Sequence, residues 1–219
     1  ALCQRVLQDE TSRHLSFELW ENDPKLECHL RLTMDQCQKS LRNAGHLMEY
    51  RLRSEDFILA NARKSLFDDG PSPAFHLAIL NPPYYKVRKD SPQAMAMEHV
   101  IHGQPNIYGL FMAVAAELLL PGGEMVAITP RSYFNGPYFK RFRRWFFDRL
   151  TVRRIHVFES RTDAFEGNEV LQENVILLGE KAGKPSEVQL TSSIGRGFDD
   201  IGHCEAPYAK VIDNSSGDR

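Results

Sequence analysis

Three observations in the sequence predict an α/β fold. Short apolar strand patterns alternate with helical ones along most of the chain; one apolar strand, Leu77-Ala78-Ile79-Leu80, stops abruptly in Asn81-Pro82-Pro83-Tyr84; and two further strand patterns follow each other late in the chain. With 219 residues, 42% of them hydrophobic and 26% charged, the chain has the make-up of an ordinary globular protein and can bury a core.

Composition also narrows the function. No apolar run approaches the roughly 20 residues needed to span a bilayer, and the opening Ala1-Leu2-Cys3-Gln4-Arg5 does not look like a signal peptide. The expected location is therefore cytoplasmic, with no membrane partner. Cys3, Cys28, Cys37 and Cys204 are spread over the chain without a CxxC pair, which suggests neither a zinc knuckle nor a disulfide framework. A net charge of −2 argues against a wholesale polyanion binder and leaves room for a local basic surface. The chain starts without Met, inside a helical pattern, and closes on the polar stretch 213–219. It reads as a fragment of a longer protein.

The elements follow in order. Leu2, Cys3, Val6 and Leu7 have helical spacing, and residues 15–20 alternate as a strand that ends in Glu21-Asn22-Asp23-Pro24, an acidic strand end before a proline-started helix. The spacing of Met34, Cys37, Leu41 and Ala44 predicts a polar helix over 34–47, closed by Gly45. Residues 50–54 are the next strand, running into Glu55-Asp56-Phe57, and 65–74 read as a surface loop rich in Asp, Gly and Pro.

Residues 75–80 form the strand that the prolines stop. Pro82 and Pro83 cannot donate to a ladder, and each restricts the residue before it, so the chain must leave in a stiff extended loop. Asn81 offers an amide, the prolyl carbonyls are acceptors, and Tyr84 adds an aromatic face. This combination suits a planar group that carries an exocyclic NH2.

Lys86, Arg88 and Lys89 come next, in or beside a polar segment without clear periodicity; a basic stretch there suits either substrate phosphates or solvent. His99 and His102 share a helical face but have no third ligand nearby, and no metal site is expected. An apolar helix from Asn106 to Leu120 is capped by Pro121-Gly122-Gly123, and the strand over 124–129 ends in Pro130-Arg131-Ser132. Residues 137–150 predict an amphipathic helix with Lys140, Arg141, Arg143 and Arg144 on a solvated face. Strands over 152–158 and 174–178 follow. Residues 182–185 read as a linker, 188–191 as a short strand and the remainder as loop.

The tetrapeptide Asn81-Pro82-Pro83-Tyr84 at a strand end resembles the catalytic loop of S-adenosylmethionine-dependent amino-methyltransferases, in the form found in N6-adenine DNA methyltransferases and in release-factor glutamine methyltransferases. The stretches 106–111 and 128–134 are more similar to the adenine methyltransferases of bifunctional restriction–modification enzymes. The resemblance implies a class I S-adenosylmethionine-dependent methyltransferase fold, a Rossmann-like sheet whose two late strands form an antiparallel hairpin. It implies a site-specific transfer of methyl to a flipped-out adenine in double-stranded DNA, within a restriction–modification system. It also implies roles: Asn81, Pro82, Pro83 and Tyr84 hold the amine and stack on the base; Glu21 takes the cofactor's ribose hydroxyls; Asp56 and Phe57 form its adenine pocket; Phe165 touches the target base; Lys86, Arg88 and Lys89 meet DNA phosphates. For Asp56 and Phe57 a helix cap and a core aromatic remain equally good readings.

The sequence departs from this family in one respect. No Gly-rich turn follows a strand anywhere, and Gly195-Arg196-Gly197 lies in the trailing loop. The expectation is an N-terminally truncated catalytic domain over 1–181, without the family's first strand and Gly-rich loop, and a linker over 182–219 toward a target-recognition domain, with a fused or partner endonuclease. Such a piece alone is expected to bind S-adenosylmethionine weakly. The alternatives are a protein-glutamine or RNA amino-methyltransferase, and a non-catalytic nucleic-acid-binding remnant.

Overall fold

The computed structural model describes residues 2–8, 13–62, 72–101, 105–158, 174–184, 186–194 and 201–212. Two compact units divide the chain, Ala1–Ala60 and Asn61–Arg219.

In the first unit, α1 (Leu2–Val6) precedes β1 (His14–Trp20), α2 (Pro24–Asn43) and β2 (Leu47–Arg53). The two strands pair in parallel, from His14↔Leu47 to Trp20↔Arg53. Asp23 caps α2 by accepting from the Lys25 N–H, and Pro24 occupies the first turn, where its missing N–H costs nothing. Helical spacing brings Met34 and Leu41 to one buried face against Met48 of β2, with Leu15, Phe17, Leu19 and Cys37 packed around them. The proline-started helix and the helix predicted over 34–47 are one continuous element here, and it stops earlier, at Asn43. Gly45 at φ +84° turns the chain, and the Leu41 carbonyl receives the His46 N–H at 2.9 Å, which frees Leu47 to start β2.

A short helix α3 (Phe57–Asn61) runs across the division. The second unit then holds β3 (Phe75–Leu80), α4 (Pro92–Ala96), α5 (Ile107–Leu118), β4 (Leu119–Pro130), α6 (Lys140–Phe147), β5 (Leu150–Phe158), β6 (Asn174–Lys181), β7 (Glu187–Ser193), β8 (Gly202–Pro207) and α7 (Tyr208–Val211). Six strands form one sheet in the order β3-β4-β6-β5-β7-β8. β3 and β4 are parallel, while β6 lies between β4 and β5 and is antiparallel to both. That insertion is the late antiparallel hairpin the sequence predicts.

α5 is apolar on every side and lies almost wholly buried, as such a helix must. β4 begins at Leu119, ahead of the Pro-Gly-Gly turn, and its pairing with β3 jumps from Phe75↔Leu119 to Leu77↔Glu124, so residues 120–123 are accommodated as an irregularity. The helix predicted over 137–150 is shorter: a 3-10 turn at Pro137–Phe139 leads into α6, and Leu150 already belongs to β5. Beyond Lys181 the sequence pattern predicts one short strand where there are two. β7 pairs in parallel with β5, and β8 pairs with β7. β8 escapes a pattern search because nearly all of its residues are exposed and so carry no alternating apolar signal.

Candidate active site

β3 ends at Leu80, paired with Ala127, and the next four residues are Asn81-Pro82-Pro83-Tyr84. The two prolines bring no N–H with which to continue the ladder. A donor reaches β4 from Tyr84 instead, whose hydroxyl lies 3.0 Å from the Ile128 carbonyl, one step beyond the last β3–β4 pair. The same hydroxyl is 3.2 Å from Asn81 Oδ1. Asn81 is exposed while Pro82 is buried, so the asparagine amide stands at the surface on a fixed backbone.

Tyr84 is half-buried, and burial pushes its phenol up to about 12. Its ring meets the edge of Tyr108 at 6.3 Å and 90°. Tyr108, in the first turn of α5, shares a hydrogen bond of 2.8 Å with Ser132 just past β4, and burial holds its phenol at about 12 as well. Tyr133 is fully buried against Tyr108 and Phe142, and its carbonyl accepts from the buried Arg143 guanidinium at 3.3 Å. The loops after β3 and β4 are thereby fastened to each other through neutral phenols and one buried arginine. Sequence reasoning missed Tyr108 and Ser132 as supports and placed Arg143 on a solvated helix face, whereas it is buried because its guanidinium is drawn inward to the Tyr133 carbonyl. The only available signal was a tyrosine within an otherwise apolar helix.

The downstream side of the loop is strapped to α5. Ile107 N donates to Tyr85 O at 2.9 Å, Val87 N to Pro105 O at 2.8 Å, and Lys86 bridges Asn106. Among the basic candidates, Arg88 forms a two-pronged pair with Asp90, at 3.0 and 2.7 Å, which holds that carboxylate below its usual range. Lys86 places its ammonium 5.9 Å from the centre of the exposed Tyr138 ring. Lys89 is exposed. Phe165 lies outside the described residues, and no cluster of His, Cys, Asp or Glu able to hold a metal ion occurs among the described ones.

The residues expected to meet the cofactor belong to the first unit. Glu21 follows β1, its N–H bonded to Arg53 O at 3.0 Å, and its Oε1 accepts from Asp23 N at 2.8 Å. Asp56 follows β2 and accepts the Leu59 N–H at 2.9 Å, the helix-cap role that the sequence left open. Phe57 stands edge-on to Trp20 at 5.2 Å. A carboxylate after each of two adjacent parallel strands is a donor-accepting set that fits a nucleoside's hydroxyl and amino groups.

A mixed sheet with an antiparallel strand inserted before its late edge, and an Asn-Pro-Pro-Tyr loop at the carboxyl end of a parallel strand, define the class I S-adenosylmethionine-dependent methyltransferase fold. Residues 7–165 match the Eco57I restriction-modification methylase family, and the chain belongs to that family. It is 36% identical over 165 residues to the type II methyltransferase M.PstI of Providencia stuartii, covering 75% of this chain and 32% of that protein. Identity to the type II methyltransferase M.BsuBI of Bacillus subtilis is 36% over 163 residues, with coverages of 74% and 31%. The chain thus spans about a third of the length of these relatives. Among solved structures, the type IIG restriction endonuclease BpuSI superposes with a TM-score of 0.61 at 15% identity, over 96% of this chain and 30% of that one. A Listeria monocytogenes protein assigned to the class I S-adenosylmethionine-dependent methyltransferases gives 0.51 at 17% identity, over 91% and 64%.

Proposed function

We propose that the chain is the amine-holding part of a site-specific DNA adenine N6-methyltransferase of a restriction–modification system, acting in the cytoplasm on double-stranded DNA. The observation that carries this reading is the Asn81-Pro82-Pro83-Tyr84 loop, whose exposed amide is set on a backbone fastened to β4 through Tyr84. An exocyclic adenine amine is a poor nucleophile because its lone pair is delocalised into the ring. Asn81 Oδ1 and the Pro82 carbonyl accept its two hydrogens, favouring a tetrahedral nitrogen whose lone pair is free to react. Such fixed dipoles act on the transition state without having to reorganise. A base in a duplex is inaccessible, so the adenine is first flipped out, and stacking on Tyr84 returns about 1–3 kcal/mol of the cost.

Glu21, Asp56 and Phe57 are the residues that would hold S-adenosylmethionine: Glu21 at the ribose hydroxyls, Asp56 at the adenine amine and Phe57 on the ring. When bound, this cofactor supplies a methyl group made electrophilic by a sulfonium. Target recognition and any endonuclease are proposed for a protein of the length of its relatives, of which this chain spans about a third.

The test is Asn81→Ala in the full-length protein, with labelled methyl transfer to DNA and cofactor binding both measured. Transfer is expected to vanish while the cofactor Kd stays within about twofold of the parent; that shift is worth under about 0.5 kcal/mol. A transfer rate equal to the parent's would remove the proposed role.

A further inference from the structure

We propose that the surface formed by Lys86, Tyr138, Arg131 and the outer face of α6 is the track along which the phosphate backbone of the DNA substrate runs beside the candidate active site. This rests on the reading of the Asn81 loop as a DNA-modifying site, and it assigns the face of the protein that the DNA covers.

Sequence and structure place the charge together. From Met125 to Phe147 the chain carries five basic residues and no acidic one, in a protein whose net charge is −2. Within α6, Phe142, Arg143, Phe146 and Phe147 are buried. At about 100° per residue this leaves Lys140, Arg141 and Arg144 within one open arc on the opposite side, and all three are exposed. Among the described residues Lys86, Arg141 and Arg144 have no carboxylate partner, whereas Arg88 is held by Asp90 and Arg153 by Glu180. Three exposed cations without a carboxylate partner, on a protein of slightly negative charge, suit a polyanion.

Topology puts this face next to the loop. β3 and β4 are parallel and in register at Leu80↔Ala127, so the segments that follow them leave the same edge of the sheet. Two distances confirm their proximity: Tyr84 to the Ile128 carbonyl at 3.0 Å, and the Lys86 ammonium 5.9 Å from the Tyr138 ring centre. Tyr138 is 45% exposed two residues before Lys140, an aromatic face beside a cation where the basic arc begins. Aromatic and cationic groups side by side serve a sugar or base and its phosphate together.

The test is the salt dependence of binding by the full-length protein to a fluorescein-labelled DNA duplex of mixed sequence. Each phosphate that a variant ceases to neutralise lowers the slope of log Kobs against log salt by about 0.9. Arg141→Gln with Arg144→Gln is therefore expected to lower the slope by about two, and Lys86→Gln by about one more, alike on any sequence. Arg141→Lys with Arg144→Lys keeps the charge and is expected to keep the slope, which separates a change of charge from a failure to fold. A double glutamine variant with the parent's slope, or a double lysine variant whose slope falls as far as the glutamine one's, would overturn the proposal. A parent that shows these slopes but transfers no methyl group would leave the DNA track standing and remove the proposed activity, so the two failures are distinct.

Discussion

The Tyr84 hydroxyl donates to the Ile128 carbonyl across 3.0 Å, and this bond takes over at the point where two prolines end the β3–β4 ladder. Tyr84→Phe keeps the ring and deletes the donor. Stability is expected to fall by about 1 kcal/mol, the net worth of one such hydrogen bond, and methyl transfer by the full-length protein is expected to slow with DNA affinity unchanged. Urea midpoints and single-turnover rates check both, and a variant equal to its parent in both would show the anchor to be idle. The anchor also has a pH signature. Burial raises the Tyr84 phenol from 10 to about 12, so its contribution is complete below pH 10 and is lost as the pH climbs through 12. The difference in stability between parent and Tyr84→Phe should shrink over that window.

Gly123 explains how β3 is seated. A Cβ built on it would lie 2.9 Å from Leu120 O and 3.1 Å from the carbonyls of Phe75 and His76, and none of these backbone atoms can rotate away. Gly123→Ala is expected to cost about 1–3 kcal/mol, as overpacking does, and to reduce methyl transfer, since the displaced strand carries Asn81. Gly122 has open space around it but φ +78°, so Gly122→Ala should cost only about 1–2 kcal/mol of left-handed strain and leave transfer nearly intact. Similar reductions of transfer in the two variants would contradict this account.

The sequence makes some of this visible and hides the rest for definable reasons. β3 and its loop are legible because an apolar run meeting two prolines is a local signal that no neighbour alters. The hairpin of β5 and β6 is legible because each strand carries several buried apolar residues. β8 is not, since an exposed edge strand needs no apolar alternation. The bond from Tyr84 to Ile128 spans 44 residues, and that of Tyr108 to Ser132 spans 24; neither leaves a trace in either segment's pattern. Asp56 shows the converse. Its position before a short helix suits a cap and a ligand equally, and the bond from Leu59 N establishes the cap at one oxygen.

Lys181, at the end of β6, closes α5 from a distance. Its ammonium donates to the carbonyls of Ala116 and Glu117 in the last turn, where a helix presents unsatisfied acceptors and partial negative charge. Burial lowers its pKa, and the bonds to the carbonyls offset that cost. Lys181→Met keeps the length and the apolar stem, and should destabilise by about 1–2 kcal/mol. An unchanged urea midpoint would mean that water serves these carbonyls equally well.

His156 should make the six-stranded sheet sensitive to mild acid. The ring is buried in β5, with Nδ1 2.9 Å from the Thr191 hydroxyl and Nε2 3.1 Å from that of Ser193, both on β7, and Phe158 stands edge-on to it. Burial lowers its pKa from 6.5, so in the folded protein the ring resists a proton that it accepts freely when unfolded. Between 6.5 and the lower folded value the unfolded state therefore binds more protons, and stability rises with pH. The contribution is complete above pH 6.5 and is lost as the pH falls, by at most about 1.4 kcal/mol per pH unit. His156→Gln supplies an amide that can bond both hydroxyls and does not titrate. Urea titrations at stepped pH between 7 and 5 should give the parent a steeper decline than the variant, with the difference confined to the region below 6.5. Parallel curves for the two proteins would show that water reaches the ring and that β5 and β7 stay joined whether or not it is protonated.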